Sequence, residues 1–324
     1  MSSSGADAEE ADEVCANCGK AAVDEIKLKN CACNLVKYCS VGCQKNHRPQ
    51  HKKACKKRMA EIRYDLLFTQ PDGTYLGECP ICCLPHSLDT TKSTINTCCS
   101  KIICKGCNLA NKLREMQEGK DHKCAFCREP LPKTMKEIKM NETKRIKAND
   151  PVALKEKGNK CSQEQDYDGA YEYWTKAAQL GDIEAHYNLS SLYLEGKGVE
   201  KDLKKEEHHL EEAAIGGHPV ARLRLVALES KYERYERIMK HLMIAAKLGN
   251  DGALERVKQI FFMRGCSKED YAAALRGHQA AVDATKSEQR DAAEEYYKQH
   301  RLAPDEWYKR RDAAEELFKQ RNQN

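Results

Sequence analysis

The residues of this chain that could do chemistry are mostly thiols. Sixteen of its eighteen cysteines fall between Cys15 and Cys127, leaving only Cys161 and Cys266 in the rest. The first group is Cys15, Cys18, Cys31, Cys33, Cys39, Cys43, His51 and Cys55. Seven thiols and one imidazole are enough for two tetrahedral zinc sites. Cys15-Ala-Asn-Cys18 has the spacing at which one turn presents two thiolates, and His51 and Cys55, four apart, share one face of a helix. A segment this short cannot stabilise itself by burying apolar surface. Zinc supplies the deficit, because structural sites contribute on the order of 10–16 kcal/mol to folding. The second group holds three C-x-x-C pairs, Cys79/Cys82, Cys104/Cys107 and Cys124/Cys127, with the adjacent Cys98 and Cys99 between them. Together the two groups call for about four zinc ions.

Metal rather than disulfides is the reading because nothing points to an oxidising compartment. The chain opens MSSSGADAEEADEV, acidic and polar, without the apolar run of a secretory signal. No stretch approaches the roughly 18 apolar residues of a membrane span. The expectation is a cytoplasmic or nuclear protein, or one found in both, with no membrane partner. A net charge of +5 over 324 residues is too small for a dedicated nucleic-acid binder, so no specific nucleic acid is expected.

The run YCSVGCQKNHRPQHKKAC, preceded by CANC, resembles a MYND-type zinc finger. The resemblance implies interleaved pairs: Cys15, Cys18, Cys39 and Cys43 on one ion, and Cys31, Cys33, His51 and Cys55 on the other. Two departures stand out. Cys31 and Cys33 enclose only Ala32, and Arg48 stands where the family often carries the Trp that helps hold proline-rich peptides, although Gln44 matches. His47 is expected to be a solvated helix residue. CPICC, CCSKIICKGC and CAFCREPLP resemble a cross-braced RING finger. That implies one ion on Cys79, Cys82, Cys104 and Cys107, and another on Cys124 and Cys127 plus two ligands from the middle. Lys101 occupies the usual His position, so Cys98 and Cys99 are assigned, with His86 or His122 as the alternative for one of them.

A RING has no nucleophile; the resemblance implies catalysis by holding a ubiquitin-loaded conjugating enzyme in position. Ile81 sits where the family makes an apolar contact to that enzyme. Arg128 sits where a hydrogen-bonding guanidinium bridges it to ubiquitin. Leu109 and Leu113, four apart on a helix after Cys107, would complete the groove.

Elements must position these groups, and beyond them the pattern turns helical. KAAQLGDIEA, EAAIGGHPVA and IAAKLGNDGA share the frame A-A-x-x-G-x-x-x-A at intervals of 36 and 32 residues, a period typical of helix-pair solenoids. The paired alanines keep one helix thin where its partner crosses. Gly181, Gly217 and Gly249 can end it in the left-handed conformation, and Ala185, Ala221 and Ala253 open the next packing face. YLEGKGVEKD joins paired helices. These features resemble Sel1-like repeats, relatives of the tetratricopeptide family, which implies a surface that binds protein segments. Cys161 and Cys266 read as small buried apolar residues.

The organisation expected is an acidic tail (1–14), a MYND-type finger (15–55), a linker (56–78), a RING-like finger (79–132), a basic linker (133–149), Sel1-like repeats (150–265) and C-terminal helices (266–324). In that last part RDAAEEYYKQ and RDAAEELFKQ lie 21 residues apart. The first is read as a cap over the solenoid. The second, with Trp307, Ala314, Leu317 and Phe318 on one face, is read as an amphipathic helix. The fold class is two small zinc-stabilised modules followed by an all-α solenoid. The function expected first is a RING-type ubiquitin ligase whose repeats recruit substrate, with a conjugating enzyme and ubiquitin among its protein partners. The alternative is a non-enzymatic adaptor. A MYND-containing methyltransferase would need a β-rich catalytic domain and a glycine loop, and neither is present.

Overall fold

A computed structural model of the chain describes residues 14–22 and 27–299. They fall into two units, residues 1–69 and 70–324, of which those residues are described. The acidic tail before Val14 and the segment with Trp307, Ala314, Leu317 and Phe318 lie outside them. No helix of the described residues is long and apolar enough to cross a membrane.

In the first unit, β1 (Lys29–Asn30) pairs antiparallel with β2 (Lys37–Tyr38), with Lys29 opposite Tyr38. Helix α1 (Val41–Phe68) starts at Ser40, whose hydroxyl accepts from the Cys43 amide at 3.1 Å. Cys43, His47, His51 and Cys55 recur every four residues, so they form one stripe along α1. The helix runs through the first part of the expected linker. From Lys56 to Phe68 no Gly or Pro interrupts it, and it stops at Thr69, two residues before Pro71.

The second unit begins with a zinc module. Strands β3 (Ser93–Asn96) and β4 (Lys101–Cys104) form a hairpin with Asn96 opposite Lys101, so residues 97–100 make its tip. Helix α2 (Lys105–Gln117) follows at once, capped by the Cys104 sulfur. Then come α3 (Met135–Lys147) and the helix pairs α4 (Pro151–Gln163), α5 (Tyr167–Gln179), α6 (Ile183–Glu195), α7 (Leu203–Ile215), α8 (Pro219–Ser230), α9 (Tyr235–Lys247), α10 (Asp251–Phe262) and α11 (Lys268–Ala284), each packed on its neighbour. Helix α12 (Glu288–Gln299) closes the described chain.

The repeat frame has a physical job at each position. Its six paired alanines and Ala185, Ala221 and Ala253 are all buried. Gly181, Gly217 and Gly249 have φ of 90°, 82° and 86°. The residue after each glycine then caps the next helix. Asp182, His218 and Asn250 accept from the amides of Ala185, Ala221 and Ala253 at 2.8, 3.2 and 2.8 Å. Asn149-Asp150 repeats the device before α4, with Asn149 at φ 53° replacing glycine. Sequence reading missed that copy because its glycine is absent.

Burial pushes the Asp182 carboxyl up to about 6 from 3.8. A raised carboxyl favours folding when protonated, so its contribution is complete below the unfolded value and is lost as pH rises through 6. Asp182→Asn keeps the cap without the charge. It should raise stability by on the order of 1 kcal/mol at pH 7.5. Urea midpoints at pH 7.5 and below pH 4 check this, since the gain should vanish at the lower pH.

Two observations correct the expected C-terminal arrangement. The helix that closes the solenoid is α11, which packs on α9 and α10, while α12, containing Arg290–Gln299, packs on α2 of the zinc module. Residues before that module also lie on the repeats. The Tyr75 ring stacks on His218 at 4.3 Å, His218 stacks on Tyr187 at 4.5 Å, and the Tyr75 amide donates to the Gly217 carbonyl at 3.3 Å.

Candidate metal centres

Three short turns present six of the fifteen cluster thiols, and they share one backbone geometry. In the turn from Cys15 the amide of Gly19 donates to the Cys15 carbonyl at 2.8 Å; Cys83 does so to Cys79 at 2.8 Å and Arg128 to Cys124 at 3.0 Å. The fifth residue of each turn has positive φ: Gly19 70°, Cys83 54° and Arg128 64°. Only the first follows the glycine rule. Cys83 is exposed and belongs to none of the metal clusters, so the turn uses its backbone.

The ligand candidates meet in four clusters. These are Cys15, Cys18, Cys39 and Cys43; Cys31, Cys33, His51 and Cys55; Cys79, Cys82, Cys104 and Cys107; and Cys98, Cys99, Cys124 and Cys127. Within each, the donor atoms lie within 4.8 Å of one another. Sulfur separations include Cys18–Cys39 at 3.6 Å, Cys31–Cys55 at 3.7 Å, Cys82–Cys104 at 3.9 Å and Cys99–Cys124 at 3.8 Å, with Cys33 Sγ 3.1 Å from His51 Nε2. Zn–S bonds of about 2.3 Å in a tetrahedron place sulfurs about 3.8 Å apart. In the first unit the stripe on α1 serves both clusters, Cys43 for one and His51 with Cys55 for the other. His47, between them, bonds the Tyr38 hydroxyl at 3.0 Å and stacks on His51, so it is a packed residue rather than a solvated one.

The proton chemistry of the clusters asks for a cation. Cys15 is held down to about 6, chiefly by the Cys39 backbone amide, while Cys39 is pushed up to about 12 by hydrogen bonding with Cys43 and Cys18. Burial pushes Cys82 up, but the Leu84 amide and the Arg290 guanidinium outweigh it and hold it at about 7. Burial pushes its neighbour Cys107 up. One thiolate forms readily in such a group, the next is opposed, and a divalent ion removes the opposition. Residues and spacing therefore suit about four zinc ions. Each site would have four protein ligands, the pattern of a closed structural centre.

The alternative ligands stay outside. His86 is buried with Nδ1 2.9 Å from Ser93 Oγ, and His122 Nδ1 lies 3.5 Å from Glu115. Of the residues expected to meet a conjugating enzyme, Ile81 is 42% exposed and Leu113 36%, but Leu109 is buried, only 7% exposed. Arg128 donates to Asn111 Oδ1 at 2.7 Å and to the buried Glu115 at 3.2 Å, which ties the last turn to α2. Burial raises the Glu115 carboxyl, but the Lys123 amide, Asn111, His122 and Arg128 outweigh it and hold it below the usual range.

Comparisons agree with this division. Residues 15–55 match the MYND finger family, and residues 154–182 and 183–218 each match the Sel1 repeat. The putative β-lactamase HcpC of Helicobacter pylori is 45% identical over 56 residues, 17% of this chain and 19% of its own. The chain thus spans about a fifth of that relative. Among solved structures, a Sel1 repeat protein from Oxalobacter formigenes is similar with TM-score 0.40 and 23% identity, covering 55% of this chain and 72% of its own. A protective antigen of uropathogenic Escherichia coli with an SLR fold gives TM-score 0.39 and 18% identity, over 56% and 44%. The chain carries a MYND zinc finger and Sel1 repeats, a combination suited to protein interaction.

Proposed function

We propose that this protein is a zinc-dependent adaptor whose repeats hold a segment of a protein partner. The observation that carries this reading is closure. All four clusters offer four protein ligands, so the metal they suit would shape surfaces rather than activate a bound water. The docking of the chain's own Thr74–Tyr75 against Gly217 and His218 supports the repeats as a seat for a peptide segment with an aromatic side chain. Thiol ligands that must stay reduced support a location in the cytoplasm, the nucleus or both. Panning a random peptide library on the zinc-loaded full chain should enrich one sequence class. Repeated rounds without enrichment would sink the adaptor reading.

Exposure of Ile81 and Leu113, together with an Arg128 side chain 49% exposed, favours a second reading, a RING-type ubiquitin ligase. The conjugating enzyme would rest on Ile81 and Leu113, and Arg128 would extend its remaining donors toward ubiquitin. Its test is discharge of ubiquitin-charged conjugating enzymes onto free lysine. The ligase reading expects wild-type protein to accelerate discharge by on the order of tenfold or more, with Ile81→Ala and Arg128→Ala each losing that gain. No acceleration across a panel, from protein shown to carry its zinc, leaves the adaptor alone.

A further inference from the structure

The polar contacts of helix α12 with the zinc module centre on one arginine. Arg290 donates Nη2 to Cys82 Sγ at 3.4 Å and to the Leu84 carbonyl at 3.0 Å, and Nη1 to the Pro85 carbonyl at 2.6 Å and the Thr285 carbonyl at 2.8 Å. Its neighbour Gln289 lies 3.9 Å from Cys107 Sγ. The approach requires glycine at 106, where a Cβ would sit 3.0 Å from the Gln289 carbonyl oxygen and 3.1 Å from Arg290 Cα.

We propose that Arg290 is an outer-sphere partner of the centre formed by Cys79, Cys82, Cys104 and Cys107, and that docking of α12 is coupled to metal at that centre.

Charge is the first reason. Four thiolates on one divalent ion carry a net charge of −2, and a guanidinium on a ligand sulfur compensates part of it. Without the ion, mutual repulsion opposes more than one thiolate in so small a space, and Arg290 meets less negative charge. Shape is the second. Cys82, Leu84 and Pro85 belong to a single turn, closed by the 3.0 Å bond from the Cys79 amide to the Leu84 carbonyl. Ligation of Cys79 and Cys82 to one ion fixes that turn, so metal loss lowers the negative charge and frees the acceptor geometry. The other polar ties of α12 are weaker. Lys92–Glu294 at 3.0 Å is an exposed pair, and Lys105 lies 5.1 Å from the Tyr297 ring centre. By linkage, whatever the metal adds to α12 docking, α12 adds to metal retention. The Thr285 bond carries the coupling to the end of α11, and so to the last helix pair.

The test uses the full zinc-loaded chain with Arg290→Gln, Arg290→Lys and Lys92→Ala. Hydrogen exchange of residues 288–299 and stepwise zinc release to a chromophoric chelator are followed together. Arg290→Gln should lower α12 protection, and speed the release of one zinc in four, each by on the order of tenfold. Arg290→Lys, with charge but no planar fork, should fall between. Lys92→Ala should change neither. With cadmium substituted for zinc, Arg290→Gln should move one of four ¹¹³Cd resonances and leave the other three in place. If α12 stays protected after that centre is emptied, or if Arg290→Gln leaves all four release rates and all four resonances in place, the coupling does not exist.

Discussion

Removal of zinc is expected to unfold residues 15–55 while the helix pairs from α4 to α11 keep their structure. The buried cluster of the first unit is Cys15, Cys31, Cys33 and Tyr38, flanked by half-buried Ala16, Leu28 and Val36 and three more cysteines. Its core is largely its own ligand set. A structural zinc site contributes on the order of 10–16 kcal/mol, as much as the whole stability of an ordinary domain. Without the ions, Tyr38 and a few aliphatic side chains cannot offset the entropy of ordering the loops. The repeats differ: α4–α6 bury Leu154, Trp174, Leu189 and Leu192 with a run of alanines, and α8–α11 bury Val226, Leu242 and Val257. Titrating the full chain with a strong chelator should release four zinc ions. NMR signals of residues 15–40 should collapse to random-coil positions, while most helical circular dichroism survives. Cys33→Ser should do the same to the first unit alone, because it breaks one centre and leaves His51 without its 3.1 Å partner. Dispersed signals from residues 15–40 in metal-free protein would refute this account.

The same contrast explains what could be read from the sequence. Zinc ligation leaves a mark in residue type and spacing, so the ligand residues of the first finger and the C-x-x-C pairs of the second were legible, while the interleaving of the first finger's ligands was implied by its resemblance to the MYND type. Cys98 and Cys99 were legible only by elimination. The structure shows why they work: both sit in the hairpin tip between Asn96 and Lys101, where the chain reverses and brings both sulfurs near Cys124 and Cys127. The repeat frame was visible because each alanine and glycine has a steric job. What stayed hidden depends on contacts between parts distant in sequence. Arg290 meets Cys82 across 208 positions, and nothing in RDAAEEYYKQ distinguishes an arginine that caps a solenoid from one that meets a zinc turn. Leu109 was misplaced because a four-residue spacing does not say which member of a pair faces inward. Positive φ at Cys83 and Arg128 was hidden because those turns lack the glycine that usually marks it.

The largest single-residue effect outside the zinc modules is expected at Trp174. Its ring is buried, and its Nε1 donates to the Lys155 carbonyl at 3.2 Å and to Asn159 Oδ1 at 3.1 Å, so α5 is locked onto α4. Trp174→Ala should cost about 3–5 kcal/mol, from lost burial and the cavity left behind. The ring fits only because Gly158 sits opposite it in the middle of α4. A Cβ there would lie 2.5 Å from Trp174 Cδ1 and 2.6 Å from Nε1. Gly158→Ala alone should therefore destabilise by about 1–3 kcal/mol, even though alanine is the better helix former. In the Trp174→Ala background the obstacle is gone and only propensity remains. There the same Gly158→Ala change should stabilise, by up to about 1 kcal/mol. Denaturant midpoints of the zinc-loaded chain and its three variants form a double-mutant cycle, and the effect of Gly158→Ala must change sign between the two backgrounds. Equal effects in both would mean that Trp174 does not occupy the space above Gly158, and the packing of the first helix pair would have to be redrawn.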